Sequence, residues 1–168
     1  VSSLYLDKIC QFRPKCRDKE KLVMRNRSAT DTIKGYFYQF DYSIKKILEC
    51  PNLNDSITVE GIEDIDVESA TDETAIQCKY YAKTQYNHSV IGKPVRFMLS
   101  HYISEKNNGK PPIKYSLYGH YAGGHHKLVL PLTVNALKDN FLTYTRNKTK
   151  QYHHMNIGAS DMDLQDFI

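Results

Sequence analysis

Residues 57–81 of this 168-residue chain read ITVEGIEDIDVESATDETAIQCKYY, and this stretch decides the fold. Apolar and acidic residues alternate in its first half, which is typical of a β-strand because successive strand side chains point to opposite faces. The alternating residues are Ile57, Val59, Ile65 and Val67 against Glu60, Asp64, Asp66 and Glu68. A short polar segment follows, and a second strand then carries Gln77 and Lys79 on one face and Cys78 on the other. The pattern therefore predicts an acidic strand paired with a neighbour that bears a lysine.

The register of this pair determines which acid faces the lysine. A turn centred on Asp72 and Glu73 would place Asp66 opposite Lys79, and a register shifted by two residues would place Asp64 there instead. Carboxylates that share one strand face repel each other unless a cation lies among them. Oxygen ligands suit Mg²⁺ or Mn²⁺, whereas zinc calls for Cys and His at suitable spacing. The sequence predicts a divalent-cation site, and a solvated acidic hairpin is the alternative.

Residues 30–50, TDTIKGYFYQFDYSIKKILEC, predict an amphipathic helix that is capped by Thr30 or Asp31 and ended by Pro51. Apolar residues recur every three or four positions and are expected to form one buried face. They are Ile33, Tyr36 or Phe37, Phe40, Ile44, Ile47 and Leu48. Gln39 lies beside this face, where its amide could bind a metal-bound water or a phosphate. A half-buried amide satisfied by the backbone is an equal alternative.

Three motifs occur in order: GYFYQF on the helix, VEGIEDIDV, and QCKYY. Over about residues 31–122 this set resembles the PD-(D/E)xK restriction-endonuclease-like superfamily, in the branch where glutamine replaces the second acid to give QxK. It is similar to the N-terminal nuclease domains of bacterial antiviral effectors and STAND NTPase sensors. The resemblance implies an α/β fold with a restriction-endonuclease-like core, in which helices flank both faces of a mixed central sheet. It also implies a Mg²⁺-dependent endonuclease that hydrolyses phosphodiester bonds of double-stranded DNA in prokaryotic antiviral defence.

The resemblance also assigns roles to individual residues. The family aspartate falls on Asp64 or Asp66, and Asp64 is preferred because it lies thirteen positions before Gln77 whereas Asp66 lies eleven before it. The expected metal ligands are Asp64, Asp66 and Gln77. The expected catalytic residues are Asp64, Gln77, Lys79, Gln39 and Glu60, with Lys79 assisting the attack of water. Glu60 is either a ligand or the partner of a lysine. Because a neutral glutamine stands where an acid is usual, a catalytically degenerate nucleic-acid-binding or scaffolding domain is one alternative, and an RNase of the same fold is another.

Composition and charge are those of a folded, mildly basic domain, with 40% hydrophobic residues, 25% charged residues and a formal net charge of +4. Basic runs at residues 13–27 and 145–150 would attract nucleic-acid phosphates. The chain has no apolar run long enough to span a bilayer and no signal-peptide pattern, so a cytoplasmic protein without a membrane partner is expected. The scattered cysteines are expected to be free thiols.

Three regions are expected along the chain. Residues 1–28 form a basic N-terminal arm or helix, residues 29–159 the nuclease-like domain, and residues 160–168 the start of a helix that leads to a further domain. Within the middle region, a helix follows the lysine strand, IKYSLYGHYAG forms a third core strand, and LTVNALKDNFLTYTR forms another amphipathic helix. The last helix has a cap at Ser160 or Asp161 but no terminator, and together with the resemblance this predicts a fragment of a longer protein. The resemblance implies that this longer protein forms homo-oligomers.

Overall fold

The structure is a computed structural model, and it describes residues 29–50 and 52–168. Its first half contains α1 (Ala29–Glu49), β1 (Ser56–Val59), β2 (Ile65–Glu68), β3 (Glu73–Gln85), α2 (His88–Asn107) and β4 (Ile113–Gly123). A short 3₁₀ helix (His125–Lys127) leads to α3 (Val134–Phe141), β5 (Thr143–Arg146), β6 (Thr149–Tyr152), α4 (His153–Asn156) and α5 (Asp161–Phe167). The basic arm predicted at residues 1–28, including its run at 13–27, lies outside the described residues.

The central sheet is four-stranded and mixed, in the order β1-β2-β3-β4. Strand β2 runs antiparallel to both β1 and β3, whereas β3 and β4 pair in parallel. Parallel neighbours need a long crossover, and α2 supplies it. Strands β5 and β6 form a separate antiparallel hairpin. The predicted α/β class with a mixed sheet is therefore confirmed.

Helices cover the two faces of this sheet. On one face, Ile65, Ile76 and Cys78 form a core cluster against which Tyr38 and Tyr42 of α1 pack. On the other face, the sheet contributes tyrosines and Leu117 to a larger cluster with α2, α3 and α5. Members of that larger cluster include Tyr81, Tyr115, Tyr121, Leu99, Ile103, Leu137 and Leu164. Residues of even number on β3 thus face α1 and residues of odd number face α2, as strand alternation requires.

The acidic segment forms a hairpin and is not one continuous strand as the alternation predicted. Strands β1 and β2 are joined by residues 60–64, and the Glu60 amide donates to the carbonyl oxygen of Asp64 at 3.0 Å. Glu60 has a positive φ of 60°. A Cβ atom at Gly61 would overlap the carboxylate of Asp66, so only glycine lets the loop lie this close to β2.

The β2–β3 register differs from both predicted registers. Ile65 pairs with Ile76 and Asp66 pairs with Ala75. The turn covers residues 69–72, and the Ser69 amide donates to the carbonyl oxygen of Asp72 at 2.9 Å. Glu73 therefore begins β3 and does not lie in the turn. Because the shift from either predicted register is an even number of residues, the residues still occupy their predicted faces.

The apolar face predicted to be buried on α1 is exposed. Phe37 is 62% exposed and Phe40 49% exposed, whereas Gln39 and Ser43 are the buried residues of the helix. The prediction failed because a periodic pattern shows which residues share a face but not which face meets the sheet. The cap prediction is also wrong, because the helix includes Ala29 and the residues after it. Pro51 lies outside the described residues.

The remaining elements agree with the sequence in part. Helix α2 (His88–Asn107) is the helix predicted after the lysine strand, and β4 covers the predicted third core strand. Helix α3 ends at Phe141 and a strand begins at Thr143, so the predicted helix there is too long. Ser160 caps α5 in a capping box with Asp163. No helix of the described residues is long and apolar enough to cross a membrane.

Candidate functional site

Asp64 and Gln77 are direct neighbours across β2 and β3. Asp64 precedes β2, and the observed register carried back by one residue places it opposite Gln77. Its Oδ2 atom accepts hydrogen bonds from Gln77 Nε2 and from the Cys78 amide, the latter at 2.6 Å. The Cys78 bond fixes the Asp64 carboxylate against the backbone of β3. The structure thus brings together two of the residues that the sequence predicts.

Lys79 lies two residues after Gln77, on the same face of β3, and its side chain is half-buried. Its ammonium group forms no ion pair within the described part of the chain. Its charge nevertheless acts on Glu63, because Lys79 opposes the increase in the pKa of that carboxyl group. Lys79 therefore supplies a positive charge beside the acids that no carboxylate neutralises by direct contact.

Glu63 is an acid of this site that the sequence analysis missed. Burial, followed by the neighbouring charge of Asp64, raises the pKa of Glu63 to about 7. Strict alternation along a single strand assigns Glu63 to the apolar face, so the pattern does not group Glu63 with the acidic residues. Because residues 60–64 form a hairpin loop between β1 and β2, the alternation of a strand does not apply to Glu63. The glycine two residues before Glu63 was the signal that could have revealed a turn.

Asp66 stabilises the loop of the β1–β2 hairpin. It is 7% exposed, and its carboxylate accepts hydrogen bonds from the Ile62 amide at 2.5 Å and the Glu63 amide at 3.1 Å. Each oxygen thus has a backbone donor, as a buried carboxylate requires. Asp66 therefore holds the loop that carries Glu63. The geometry favours Asp64 over Asp66 as the aspartate able to reach a cation.

Gln39 joins α1 to the same loop. The side chain is 6% exposed, and its Nε2 donates to Glu60 Oε1 at 2.8 Å and to the carbonyl oxygen of Asp64 at 3.1 Å. The amide is therefore satisfied by the protein, which is the backbone-satisfied alternative of the sequence analysis. Glu60 is the partner of this glutamine and not of a lysine. Both residues position Asp64 through its backbone and do not line an open ligand site.

Tyr115 and His101 also border the site and had no role in the sequence analysis. Tyr115 lies beside Ala75 on the parallel strand β4, and its hydroxyl contacts Nδ1 of His101 on α2 at 2.5 Å. Burial and nearby carboxylates, Glu105 and then Glu63, raise the pKa of Tyr115. Tyr115 is thus a neutral hydrogen-bonding group at the side of the acidic loop that faces α2.

The donor set suits a hard cation that keeps much of its water shell. Asp64 Oδ1 and the carboxylate of Glu63 accept no hydrogen bond from the described residues, and Gln77 adds an amide oxygen. No group of three or more His, Cys, Asp or Glu side chains among residues 29–50 and 52–168 has the geometry to hold a metal ion. A closed zinc site needs such a group, whereas Mg²⁺ is commonly bound by one or two carboxylates together with waters and substrate phosphates. Carboxylate and amide oxygens are the donor type that Mg²⁺ and Mn²⁺ prefer.

Two other features of the described residues are a cavity and a basic hairpin turn. The cavity, of about 730 Å³, lies where β3 and β4 begin and is lined by Tyr115, which borders the site, and by Tyr102, Pro112 and Phe167 among others. The basic run at residues 145–150 forms the turn of the β5–β6 hairpin, with exposed Arg146 and Lys148. Neither feature includes Asp64, Gln77 or Lys79.

Comparisons of the chain with protein-family models, with curated proteins and with solved structures found no match.

Proposed function

We propose that this chain is a metal-dependent endonuclease domain of the PD-(D/E)xK type that hydrolyses phosphodiester bonds of double-stranded DNA. The observation that carries the proposal is the placement of Asp64, Gln77 and Lys79 on one face of adjacent strands, with Asp64 bonded to Gln77 and Cys78. The mixed sheet with helices on both faces is the architecture that the resemblance implies. Asp64, which lies thirteen positions before Gln77, thus comes beside the strand that carries Gln77 and Lys79.

The residues divide into ligands and supports. Asp64 and Gln77 would hold Mg²⁺, and the bound ion would activate a water molecule and offset charge on the phosphate. Lys79 would stabilise the charge that develops on the phosphate oxygens, because it lies on the same face of β3 as Gln77. Gln39, Glu60 and Asp66 would keep the loop at residues 60–64 in place. A ligand that is misplaced by about 1 Å costs on the order of 100-fold in rate, so these supports matter for turnover.

The proposed biological setting rests on the resemblance and the overall charge. A prokaryotic antiviral effector would act in the cytoplasm, carry further domains and form homo-oligomers. The net charge of +4 supports attraction to a polyanion without reading of its sequence.

The test is cleavage of supercoiled plasmid with Mg²⁺ and with EDTA. Lys79→Ala should abolish nicking while circular dichroism and the unfolding midpoint stay near those of the native protein. Lys83→Ala is the matched control, since Lys83 is an exposed lysine on the same strand and pairs with Asp31 at 3.0 Å. Asp64→Asn should also abolish nicking, because it removes the charge while it keeps the size. Full cleavage by Lys79→Ala would refute the assigned role.

A non-catalytic nucleic-acid-binding or scaffolding domain is the second candidate, and the neutral Gln77 favours it. With only Glu63 and Asp64 free to meet a cation, the site has less negative charge than one with a second acid on β3. A binder would shift DNA on a gel without shortening it, at equal strength in Mg²⁺ and EDTA. The same assay on single-stranded DNA and on RNA would identify an RNase by selective loss of the RNA substrate.

A further inference from the structure

The outward face of α1 is a continuous apolar surface. It consists of Ile33, Tyr36, Phe37, Phe40, Ile44, Ile47 and Leu48, which are between 49% and 81% exposed. Single exposed apolar residues are ordinary on protein surfaces, but a contiguous patch along a 21-residue helix is not. We call these seven residues the α1 apolar face.

The area of the α1 apolar face is that of a protein interface. Each of the three aromatic members would bury about 150–250 Å² if fully covered, so together with the four aliphatic members, all 49–81% exposed, the face presents on the order of 800 Å². The largest patch on a typical monomer is about 300–600 Å², whereas each partner of a standard interface buries about 800 Å². The α1 apolar face therefore exceeds what a monomer usually exposes and matches one side of a stable complex.

The spacing of the residues suits pairing with another helix of the same kind. Ile33, Phe40 and Ile47 are seven residues apart, and so are Phe37 and Ile44. A seven-residue repeat keeps the same face towards a partner helix along its whole length. A face that is apolar from end to end is also complementary to itself, which is what a two-fold symmetric contact between identical chains requires.

The charges of α1 argue against a membrane or a nucleic acid as the partner. The helix carries the acids Asp31, Asp41 and Glu49 and the lysines Lys34, Lys45 and Lys46. Helices that lie on membranes usually border their apolar face with Lys and Arg, and nucleic acids need a net positive surface. A balanced helix has neither property. We propose that the α1 apolar face is the contact surface between two copies of this chain.

This pairing leaves the candidate site accessible. Tyr38 and Tyr42 turn one side of α1 to the sheet, and the α1 apolar face points away from it. Lys79 and Gln77 lie on the opposite face of the sheet, so a second copy on α1 would not cover them. The dimer does not depend on the proposed nuclease activity, because it is measured by mass and not by cleavage.

The experiment is sedimentation velocity and light scattering of the full chain from about 1 to 100 µM. The expected mass is twice the 19.5 kDa of one chain. Phe40→Asp should weaken association by about 30-fold or more, the loss that a central aromatic anchor causes. Phe97→Asp is the matched control, because Phe97 is a 60% exposed phenylalanine on α2 outside the α1 apolar face. Circular dichroism checks that both variants are folded. If Phe40→Asp does not fold, Ile44→Asp replaces it.

Four outcomes would overturn the proposal. The first is a chain that is monomeric throughout the concentration range, and the second is a dimer that Phe97→Asp disrupts as much as Phe40→Asp does. A monomer that dimerises only after removal of residues 1–28 would show that this segment occupies the α1 apolar face. A monomer that binds phosphatidylcholine vesicles through Phe40 would show that a lipid surface does so.

Discussion

Gln39→Glu tests the connection between α1 and the candidate site with almost no change in side-chain size. The native amide donates from Nε2 to two acceptors, Glu60 Oε1 at 2.8 Å and the Asp64 carbonyl oxygen at 3.1 Å. A carboxylate at position 39 has no proton to donate at pH 7, so three acceptors would then face each other. Because shape is conserved, the loss of stability reports on the two hydrogen bonds and on the charge introduced beside Glu60.

The magnitude follows from these two bonds. An intramolecular hydrogen bond contributes about 1 kcal/mol, and one to a charged group somewhat more. Glu60 is exposed, so solvent weakens its share and we take about 1 kcal/mol for each bond. Repulsion between the introduced carboxylate and Glu60 adds on the order of 1 kcal/mol. The free energy of unfolding should fall by about 3 kcal/mol.

A double-mutant cycle makes the prediction specific. Glu60→Gln provides a donor opposite the new carboxylate, so it should recover about 1–2 kcal/mol in the Gln39→Glu background while it costs about 1 kcal/mol in the native background. Urea unfolding followed by circular dichroism is the assay, because the chain has no tryptophan. A loss below about 0.5 kcal/mol for Gln39→Glu, or equal effects of Glu60→Gln in the two backgrounds, would refute the contact.

Three further predictions concern the loop at residues 60–64. Asp66→Ala should lower the free energy of unfolding by about 2–3 kcal/mol, since it leaves the Ile62 and Glu63 amides without an acceptor; urea unfolding that matches the native protein would contradict this. Gly61→Ala should destabilise by about 1–3 kcal/mol because its Cβ overlaps Asp66, and Gly35→Ala, where no atom lies within 4 Å, is the control that should not. Glu63 has a folded pKa of about 7, above its unfolded value of about 4.5. Between these two pH values the native state keeps a proton that the unfolded state loses, so the free energy of unfolding falls as the pH rises through this range. In EDTA, Glu63→Gln should therefore gain about 1–2 kcal/mol relative to the native protein between pH 5 and pH 8, after discounting for half exposure, and a pH-independent difference would exclude the shift.

Local patterns were sufficient for the parts of the fold that depend on neighbouring residues. Alternation in QCKYY correctly placed Cys78 in the core and Gln77 with Lys79 on the other face, because the pleat of a strand enforces a period of two. Both predicted registers placed an acid opposite Lys79, whereas the observed register places Asp64 beside Gln77. An even shift of register changes partners but leaves each side chain on its face.

Only the tertiary structure decided the features that depend on contacts between distant segments. Asp66 and Asp64 have different roles because the loop folds back and its Ile62 and Glu63 amides donate hydrogen bonds to the Asp66 carboxylate. The same fold of the loop places Glu63 near Asp64. The side of α1 that meets the sheet carries Gln39, because the loop at residues 60–64 offers acceptors that a buried amide needs. Helical periodicity correctly identified the residues that share the apolar face of α1, but it carries no information about which surface covers that face.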